Sequence, residues 1–152
     1  MVVKKYKESA RIMKFSEIDE NSWPELQPYL DTCLIPISGL TGEETPWEAT
    51  EKVARAGQWL APLEQAFRGR TVTMPAYHYE AGEAEDADRI NRLIGQWRGI
   101  GFRFVVVVSG QATLAGERLN ADLVIQPGPG EEEPNAERIS KSVAALWRKP
   151  QA

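Results

Sequence analysis

The sequence predicts an α/β protein, a three-layer αβα sandwich built on a small, mostly parallel sheet of four strands. The first observation is the segment 102–109, Phe-Arg-Phe-Val-Val-Val-Val-Ser, whose β-branched residues favour a strand. Its apolar residues do not alternate with polar ones, so both faces of that strand must be covered. The second observation is that strand-like and helix-like segments alternate along the chain, which is typical of parallel sheets.

The N-terminal region divides into a tail and the start of a folded domain. Residues 1–12 are polar and basic without periodicity, and Met13 resembles a second natural start. We therefore expect a disordered or extended tail over residues 1–12 and a single α/β domain over 13–149. Ser22-Trp23-Pro24-Glu25 has the form of a capping box and predicts a helix of about two turns.

The first predicted strand and the first long helix follow. The strand covers residues 32–37, Thr-Cys-Leu-Ile-Pro-Ile. Thr45-Pro46-Trp47-Glu48 predicts a helix start, with Thr45 as N-cap and Pro46 in the first position. Apolar residues then recur at helical spacing until Gly69, which is expected to end the helix. Pro62 is expected to kink or restart it.

The remaining elements are predicted by the same signals. A second strand covers residues 71–77, a second long helix covers about 85–98, and the last strand covers 121–126. Asn135 is a suitable N-cap for a final helix. The strand 102–109 is expected to be central in its sheet.

These elements predict the strand order 2-1-3-4, with right-handed crossovers, which resembles flavodoxin-like and Rossmann-like folds. The connection of residues 110–119 is barely long enough for a parallel crossover. The last strand could therefore pair in either orientation.

Composition excludes several classes of protein. The net charge of −4 and the pI near 5.2 argue against nucleic-acid binding. No apolar run approaches the roughly 18 residues needed to cross a bilayer, and no secretion signal is visible, so a cytoplasmic protein without membrane insertion is expected. The single cysteine, Cys33, lies among apolar residues and is interpreted as a buried small hydrophobe.

The expected ligand-facing rim is the carboxyl edge of the sheet, where parallel strands commonly bind ligands. Polar residues follow the predicted strands at this edge. They are Ser38 and Thr41 after the first strand, Tyr77 and His78 at the end of the second, Ser109 and Gln111 after the third, and Gln126 at the end of the last.

Acidic residues concentrate at the same predicted edge, 12 of the 22 in the chain. Complementing helix dipoles is the plainer explanation. The alternative is a rim that attracts a cation or a basic partner. Glu43, Glu44 and Glu80 are the candidate metal ligands, although their spacing does not distinguish them from solvated acids, so no metal or cofactor is predicted. The 12 residues are Glu43, Glu44, Glu48, Glu80, Glu83, Glu85, Asp86, Asp88, Glu131, Glu132, Glu133 and Glu137.

Catalysis would depend on His78, the only histidine, acting as a general base with Ser38 or Ser109. The plainer interpretation of His78 is a hydrogen-bonded loop residue. No Gly-x-Ser-x-Gly elbow surrounds Ser109, and the loop at residues 38–44 lacks the Gly-Lys-Ser/Thr of a phosphate-binding loop. A lone histidine without a nearby cysteine cannot form a structural zinc site.

Two tryptophans, Trp59 and Trp147, would form a surface for a partner if both were exposed. The alternative is that they pack at the periphery of the core.

Residues 29–37, Tyr-Leu-Asp-Thr-Cys-Leu-Ile-Pro-Ile, resemble the opening of the YpiF-like proteins of Bacillus-type bacteria. The resemblance implies a small, cytosolic, bacterial α/β protein of uncharacterised activity and transfers no catalytic residue. Two hypotheses follow: a non-catalytic module that binds a protein or a small molecule, and a small hydrolase or metal-assisted enzyme that uses the acidic rim with His78. Whether the chain is an enzyme, and its oligomeric state, are not predicted.

Overall fold

The computed structural model describes residues 12–148, so the predicted tail over residues 1–12 lies outside the described part apart from Ile12. The strands are β1 (Met13–Lys14), β2 (Thr32–Leu40), β3 (Thr71–Thr73), β4 (Tyr77–Tyr79), β5 (Phe104–Ser109) and β6 (Leu123–Ile125). They form one sheet in the order β1-β3-β2-β5-β6, with β4 also paired to β2. All of the recorded pairings are parallel.

The prediction of four strands was wrong, because the sheet has six strands within residues 12–148. The segment 71–77, predicted as one strand, is divided into β3 and β4 around Pro75, which cannot donate a ladder hydrogen bond. Both short strands pair with β2. The sixth strand, β1, has two residues and pairs with β3 at the edge of the sheet. Two residues carry too little periodicity to identify a strand from the sequence.

The two longest strands lie side by side in the interior of the sheet. β5 pairs with β2 in register from Thr32 and Phe104 to Ile37 and Ser109. Every residue of both strands is buried, as the continuous apolar run at 102–109 predicted. β2 continues three residues beyond the predicted end at Ile37, because Ser38, Gly39 and Leu40 remain in the sheet.

Alternate residues of these strands face two separate clusters, which makes the structure three-layered. One cluster packs Cys33, Ile35 and Ile37 against helix α3 (Ala84–Ile100). The other packs Leu34, Val106 and Val108 against helices α2 (Pro46–Ala66) and α4 (Ala136–Trp147). The sheet is therefore covered on both faces, as its apolar composition requires.

Helix starts agree with the capping signals at two of three positions. Thr45 accepts a hydrogen bond from the Glu48 amide, and Asn135 accepts one from the Arg138 amide. The capping box predicted at Ser22 does not form, because the Ser22 hydroxyl bonds the backbone of Asp19 instead. The helix there, α1 (Trp23–Leu26), has one turn rather than two. α2 continues through Pro62 without restarting.

The connection between β5 and β6 crosses over with only a short 3₁₀ turn, Gly116–Arg118, between the two strands. Leu114 and Leu119 of this connection are buried in the cluster that contains α3. The connection thus covers the sheet where a crossover helix would otherwise lie, and the last strand is parallel to β5.

Trp59 and Trp147 are not exposed together, so they follow the alternative in which both tryptophans pack against the core. Trp59 is 0% exposed between α2 and the sheet. Trp147 is partly buried, since its indole Nε1 donates to the Thr32 hydroxyl at 3.0 Å and its ring packs edge-on against Phe67. By contrast, the Trp47 side chain is 73% exposed. The partner surface suggested for Trp59 and Trp147 is therefore absent.

Cys33 is fully buried, as its apolar neighbours predicted. Burial raises the pKa of its thiol to about 12. A protonated, inaccessible thiol is a poor nucleophile, so Cys33 is part of the core. Within residues 12–148, no helix has the length and apolar character to cross a membrane.

Candidate functional site

Strand register brings two of the predicted site residues together. Ile37 of β2 is opposite Tyr77 of β4. Ser38 is the residue after Ile37, and His78 is the residue after Tyr77. Because the two strands are parallel, both side chains turn to the face covered by α2. The Ser38 Oγ and the His78 Nδ1 are 2.8 Å apart, within hydrogen-bonding distance.

The two partners differ in exposure. Ser38 is 1% exposed, whereas His78 is an exposed residue. The contact uses Nδ1, so the second ring nitrogen, Nε2, has no hydrogen-bond partner among the described residues. Ser38 therefore orients the imidazole from beneath and leaves Nε2 available to an incoming group.

Ser38 and His78 lie on the wall of a groove of about 280 Å³ between the sheet and α2. We call it the Ser38–His78 groove. Most of its lining is apolar, and α2 supplies one whole side. The remaining lining residues are Lys14, Phe15, Pro36, Val53, Ala56, Gly57, Leu60, Thr73, Met74, Pro75 and Ala76.

A second set of polar side chains lies at the same groove, and the sequence did not predict it. The Thr73 hydroxyl donates to the Glu64 Oε2 at 2.7 Å, and the Lys14 ammonium forms an ion pair with the same oxygen. Glu64 belongs to α2, Thr73 to β3 and Lys14 to β1, so no local pattern connects them. They meet only because β1 and β3 pair at the edge that α2 covers.

Ser109 is not arranged as a nucleophile. Its hydroxyl donates to the Gln111 carbonyl at 3.1 Å and accepts from the Gln111 amide at 3.0 Å. Ser109 is also 1% exposed. The Ser109 hydroxyl therefore stabilises the turn after β5, whereas the Ser38 hydroxyl contacts His78.

Tyr77, Gln111 and Gln126, which were also predicted at the rim, do not line the Ser38–His78 groove. Tyr77 packs against the core cluster on the α3 face, on the opposite side of β4 from His78. The Gln126 amide nitrogen donates to the Ala112 carbonyl at 3.3 Å, which joins the end of β6 to the loop after β5. Gln111 lies in that loop and lines a different groove, beside Arg55.

The loop after β2 is organised around the carboxylate of Glu44. Glu44 accepts hydrogen bonds from the Thr41 amide at 2.9 Å, the Gly42 amide at 2.9 Å and the Thr41 hydroxyl at 3.0 Å. The Lys52 ammonium lies 2.7 Å from the same carboxylate. The ammonium of Lys52 and the amide of Thr41 hold the pKa of the Glu44 carboxyl well below its ordinary value of 4.5.

We expect Glu44→Gln to lower the melting temperature at neutral pH, because a neutral amide cannot replace the charge opposite Lys52. Since the folded-state pKa of Glu44 is lowered, its contribution is present above pH 4.5 and is lost as the pH falls below that value. The difference between wild type and variant should therefore shrink in acid, as measured by thermal melts from neutral pH downward.

The matched control for that experiment is Glu43→Gln, because Glu43 is the exposed neighbour in the same loop. We expect it to leave the melting temperature nearly unchanged. Equal effects of the two variants at neutral pH would contradict the role assigned to the Glu44 carboxylate.

The acidic residues suggested as metal ligands serve their own loops. Glu80 accepts a hydrogen bond from the Gly82 amide at 2.8 Å, and burial raises the pKa of its carboxyl. Glu44 is bound as described, and Glu43 is exposed. Over the described residues 12–148, no three His, Cys, Asp or Glu side chains are grouped to hold a metal ion.

The family model described as "Protein of unknown function (DUF2487)" matches residues 21–133, more than half of the 152-residue chain. The chain belongs to the DUF2487 family. The matched region extends from α1 to the loop after β6, so it includes Ser38, His78 and the α2 side of the groove. It ends before α4 and begins after β1, which supplies Lys14.

No match was found among the curated proteins or among the solved structures. Assignment to the DUF2487 family therefore brings no catalytic residue or ligand to the chain. The function proposed below is therefore inferred from the geometry of the Ser38–His78 groove.

Proposed function

We propose that this DUF2487 protein is a non-catalytic module that binds a small molecule in the Ser38–His78 groove. The observation that carries the proposal is the 2.8 Å contact between Ser38 and His78 Nδ1, which orients an otherwise unpaired Nε2 at a largely apolar groove. Small-molecule sites commonly combine an apolar wall with a few placed polar groups. The groove volume of about 280 Å³ suits a ligand of metabolite size.

The arrangement suggests the class of ligand. Val53, Ala56 and Leu60 of α2 would contact an apolar body, and His78 Nε2 would hydrogen-bond a polar group at one end. The Lys14–Glu64 pair lies at the β1 side and offers a second polar contact. We expect an amphipathic compound with hydrogen-bonding groups at both ends.

A thermal-shift screen with metabolites tests the proposal, because a compound that binds only the folded state raises its stability. At a concentration of about 100 times Kd the gain is about 2.7 kcal/mol. For a chain of this length that corresponds to roughly 5–10 °C. We expect His78→Ala and Ser38→Ala to reduce the shift, since the first removes Nε2 and the second removes its orientation.

Tyr79→Ala is the matched control, because Tyr79 is 63% exposed and next to His78 but turns to the opposite face of β4. It should retain the full ligand shift. If every stabilising compound acts equally on wild type and His78→Ala, the groove is not the binding site.

The second candidate is a hydrolase that uses the same pair, with Ser38 as nucleophile and His78 as base. Hydrogen-bonding distance between Ser38 and His78 favours it. Burial of Ser38 and its position within β2 oppose it, and no non-glycine residue among those described has positive φ, as a nucleophile elbow would require. Hydrolysis of p-nitrophenyl esters that disappears in Ser38→Ala would favour this candidate over the binding module.

We infer further that the chain is a cytoplasmic bacterial protein of the YpiF-like group, with a flavodoxin-like strand order and no nucleic-acid partner. The resemblance of residues 29–37 supports the group and its bacterial origin. The net charge of −4 supports the absence of nucleic-acid binding. The neighbours of β2 in the sheet support the strand order.

A further inference from the structure

A second groove lies at the carboxyl edge of the sheet, on the other side of α2 from the candidate site. Its volume is about 360 Å³. Two loops form it, residues 110–113 after β5 and residues 127–132 after β6, and Arg55 of α2 closes it. We call it the Arg55 groove. The carboxyl ends of adjacent parallel strands, where two loops diverge, are the usual position of ligands in open α/β sheets.

Arg55 is the unexplained group in this groove. Its Nε is buried and has no hydrogen-bond partner among residues 12–148. Arg55 also forms no ion pair with any of the described residues, although seven other residues, Lys14, Lys52, Arg70, Arg89, Arg98, Arg138 and Lys141, do so. A buried donor without an acceptor costs free energy, and such groups in folded proteins are normally satisfied. The position is thus suited to an acceptor supplied from outside the chain.

The loop after β5 is held tightly against Arg55. A Cβ built on Gly110 would lie 2.8 Å from the Ala56 nitrogen and 2.8 Å from the Arg55 carbonyl carbon. Only glycine permits this approach, so the loop lies directly against the backbone of α2 at the residue that carries the guanidinium. Ala112 and Thr113, further along the loop, also line the groove, and their backbone amides have no acceptor among the described residues.

The acidic residues of the groove do not pair with Arg55. Glu131 accepts hydrogen bonds from the Gly128 amide at 2.9 Å and from the Arg138 guanidinium at 2.6 Å. The Gly128 amide and the Arg138 guanidinium lower the pKa of the Glu131 carboxyl, so its charge is present and already balanced. Glu132 is exposed. Neither carboxylate therefore takes the place of the acceptor that Arg55 lacks.

We propose that the Arg55 groove binds an oxyanion, the phosphoryl or carboxylate group of a small ligand. The guanidinium of Arg55 donates to its oxygens, and the amides of Ala112 and Thr113 complete the contacts. A guanidinium presents donors in a fork that matches both kinds of oxyanion. This site is independent of the Ser38–His78 groove and does not require its ligand.

The test is a titration of the folded protein with inorganic phosphate, and separately with acetate, at constant ionic strength maintained with chloride. Amide and arginine Nε–Hε resonances are followed by ¹⁵N NMR. We expect saturable shifts at Ala112, Thr113 and the Arg55 Nε–Hε with at least one of the two anions. The anion that binds more tightly identifies the ligand group as phosphoryl or carboxylate.

Arg55→Gln should weaken that binding by about tenfold or more, because it removes a charged donor. The matched control is Arg92→Gln, which removes an exposed arginine of α3, on the opposite face of the sheet, that also has no ion pair among the described residues. It should bind as the wild type does. No saturable shift with either anion, or equal affinity in Arg55→Gln, would overturn the proposal.

Arg55→Met provides a check on folding that does not depend on the anion. It retains an apolar stem and removes the buried Nε that has no partner. We expect its melting temperature without added anion to be equal to or higher than that of the wild type, while binding of the tighter anion is lost. A lower melting temperature with unchanged anion binding would show that Arg55 serves the fold and not a ligand.

Discussion

Trp59→Ala is expected to lower the free energy of unfolding by about 3–5 kcal/mol, the usual range for removing a large buried aromatic side chain. Trp59 is 0% exposed and belongs to the cluster in which α2 and α4 pack on the sheet. Truncation leaves a cavity in that cluster, because Trp59 is the largest fully buried side chain through which α2 packs on the sheet. Urea denaturation monitored by far-UV circular dichroism measures the loss.

The chain offers a matched control for that experiment. Trp47 belongs to the same helix but is 73% exposed, so Trp47→Ala should change stability by no more than about 0.5 kcal/mol. Trp59→Phe should cost less than Trp59→Ala, because phenylalanine keeps an aromatic ring in the cluster. It also removes the indole Nε1, which is buried without a hydrogen-bond partner among residues 12–148. Similar losses for Trp47→Ala and Trp59→Ala would contradict the packing described here.

Gly110→Ala is expected to destabilise the fold by about 1–3 kcal/mol, the cost of forcing a methyl group into a packed region. The new Cβ would meet backbone atoms of α2, the Ala56 nitrogen and the Arg55 carbonyl carbon, each at 2.8 Å. Backbone atoms of a helix cannot rotate away as a flexible side chain can, so the loop and α2 must separate. The same separation should weaken anion binding in the Arg55 groove.

Gly95→Ala is the control for Gly110→Ala, because a Cβ at Gly95 meets no atom within 4 Å and the residue lies inside α3. There alanine should stabilise the protein by up to about 1 kcal/mol through its higher helix propensity. Thermal melts of both variants distinguish a steric effect from a general effect of replacing glycine. If Gly110→Ala is as stable as the wild type, the close contact between the β5 loop and α2 does not exist.

Elements with a strong local signal were predictable. The valine run at 105–108 defines a strand buried on both faces, and Thr45 and Asn135 satisfy amides of the helices that they precede. Such signals depend on side-chain shape and on hydrogen bonds a few residues apart, so a single sequence contains them. The capping box at Ser22 failed for a related reason, since Asp19 offers the Ser22 hydroxyl another local partner.

The candidate sites were predictable as residues but not as arrangements. His78 and Ser38 stand out as a lone histidine and a polar strand end, but the sequence offered Ser109 as an equal partner for His78. The contact with Ser38 depends on the register of β2 against β4, which places Ile37 opposite Tyr77. Lys14, Glu64 and Thr73 carry no signal at all, and Arg55 resembles any other helix arginine.

Uninterrupted apolar runs, helical periodicity and capping residues thus specified the class of fold, the covered strands and most helix starts from residues close together in the chain. Tertiary structure alone decided that the sheet has six strands, that Trp59 is internal, and which polar groups share a groove. The physical reason is distance along the chain: these contacts join residues tens of positions apart. Their energies depend on which strands pair and on what each helix covers, and no short segment contains that information.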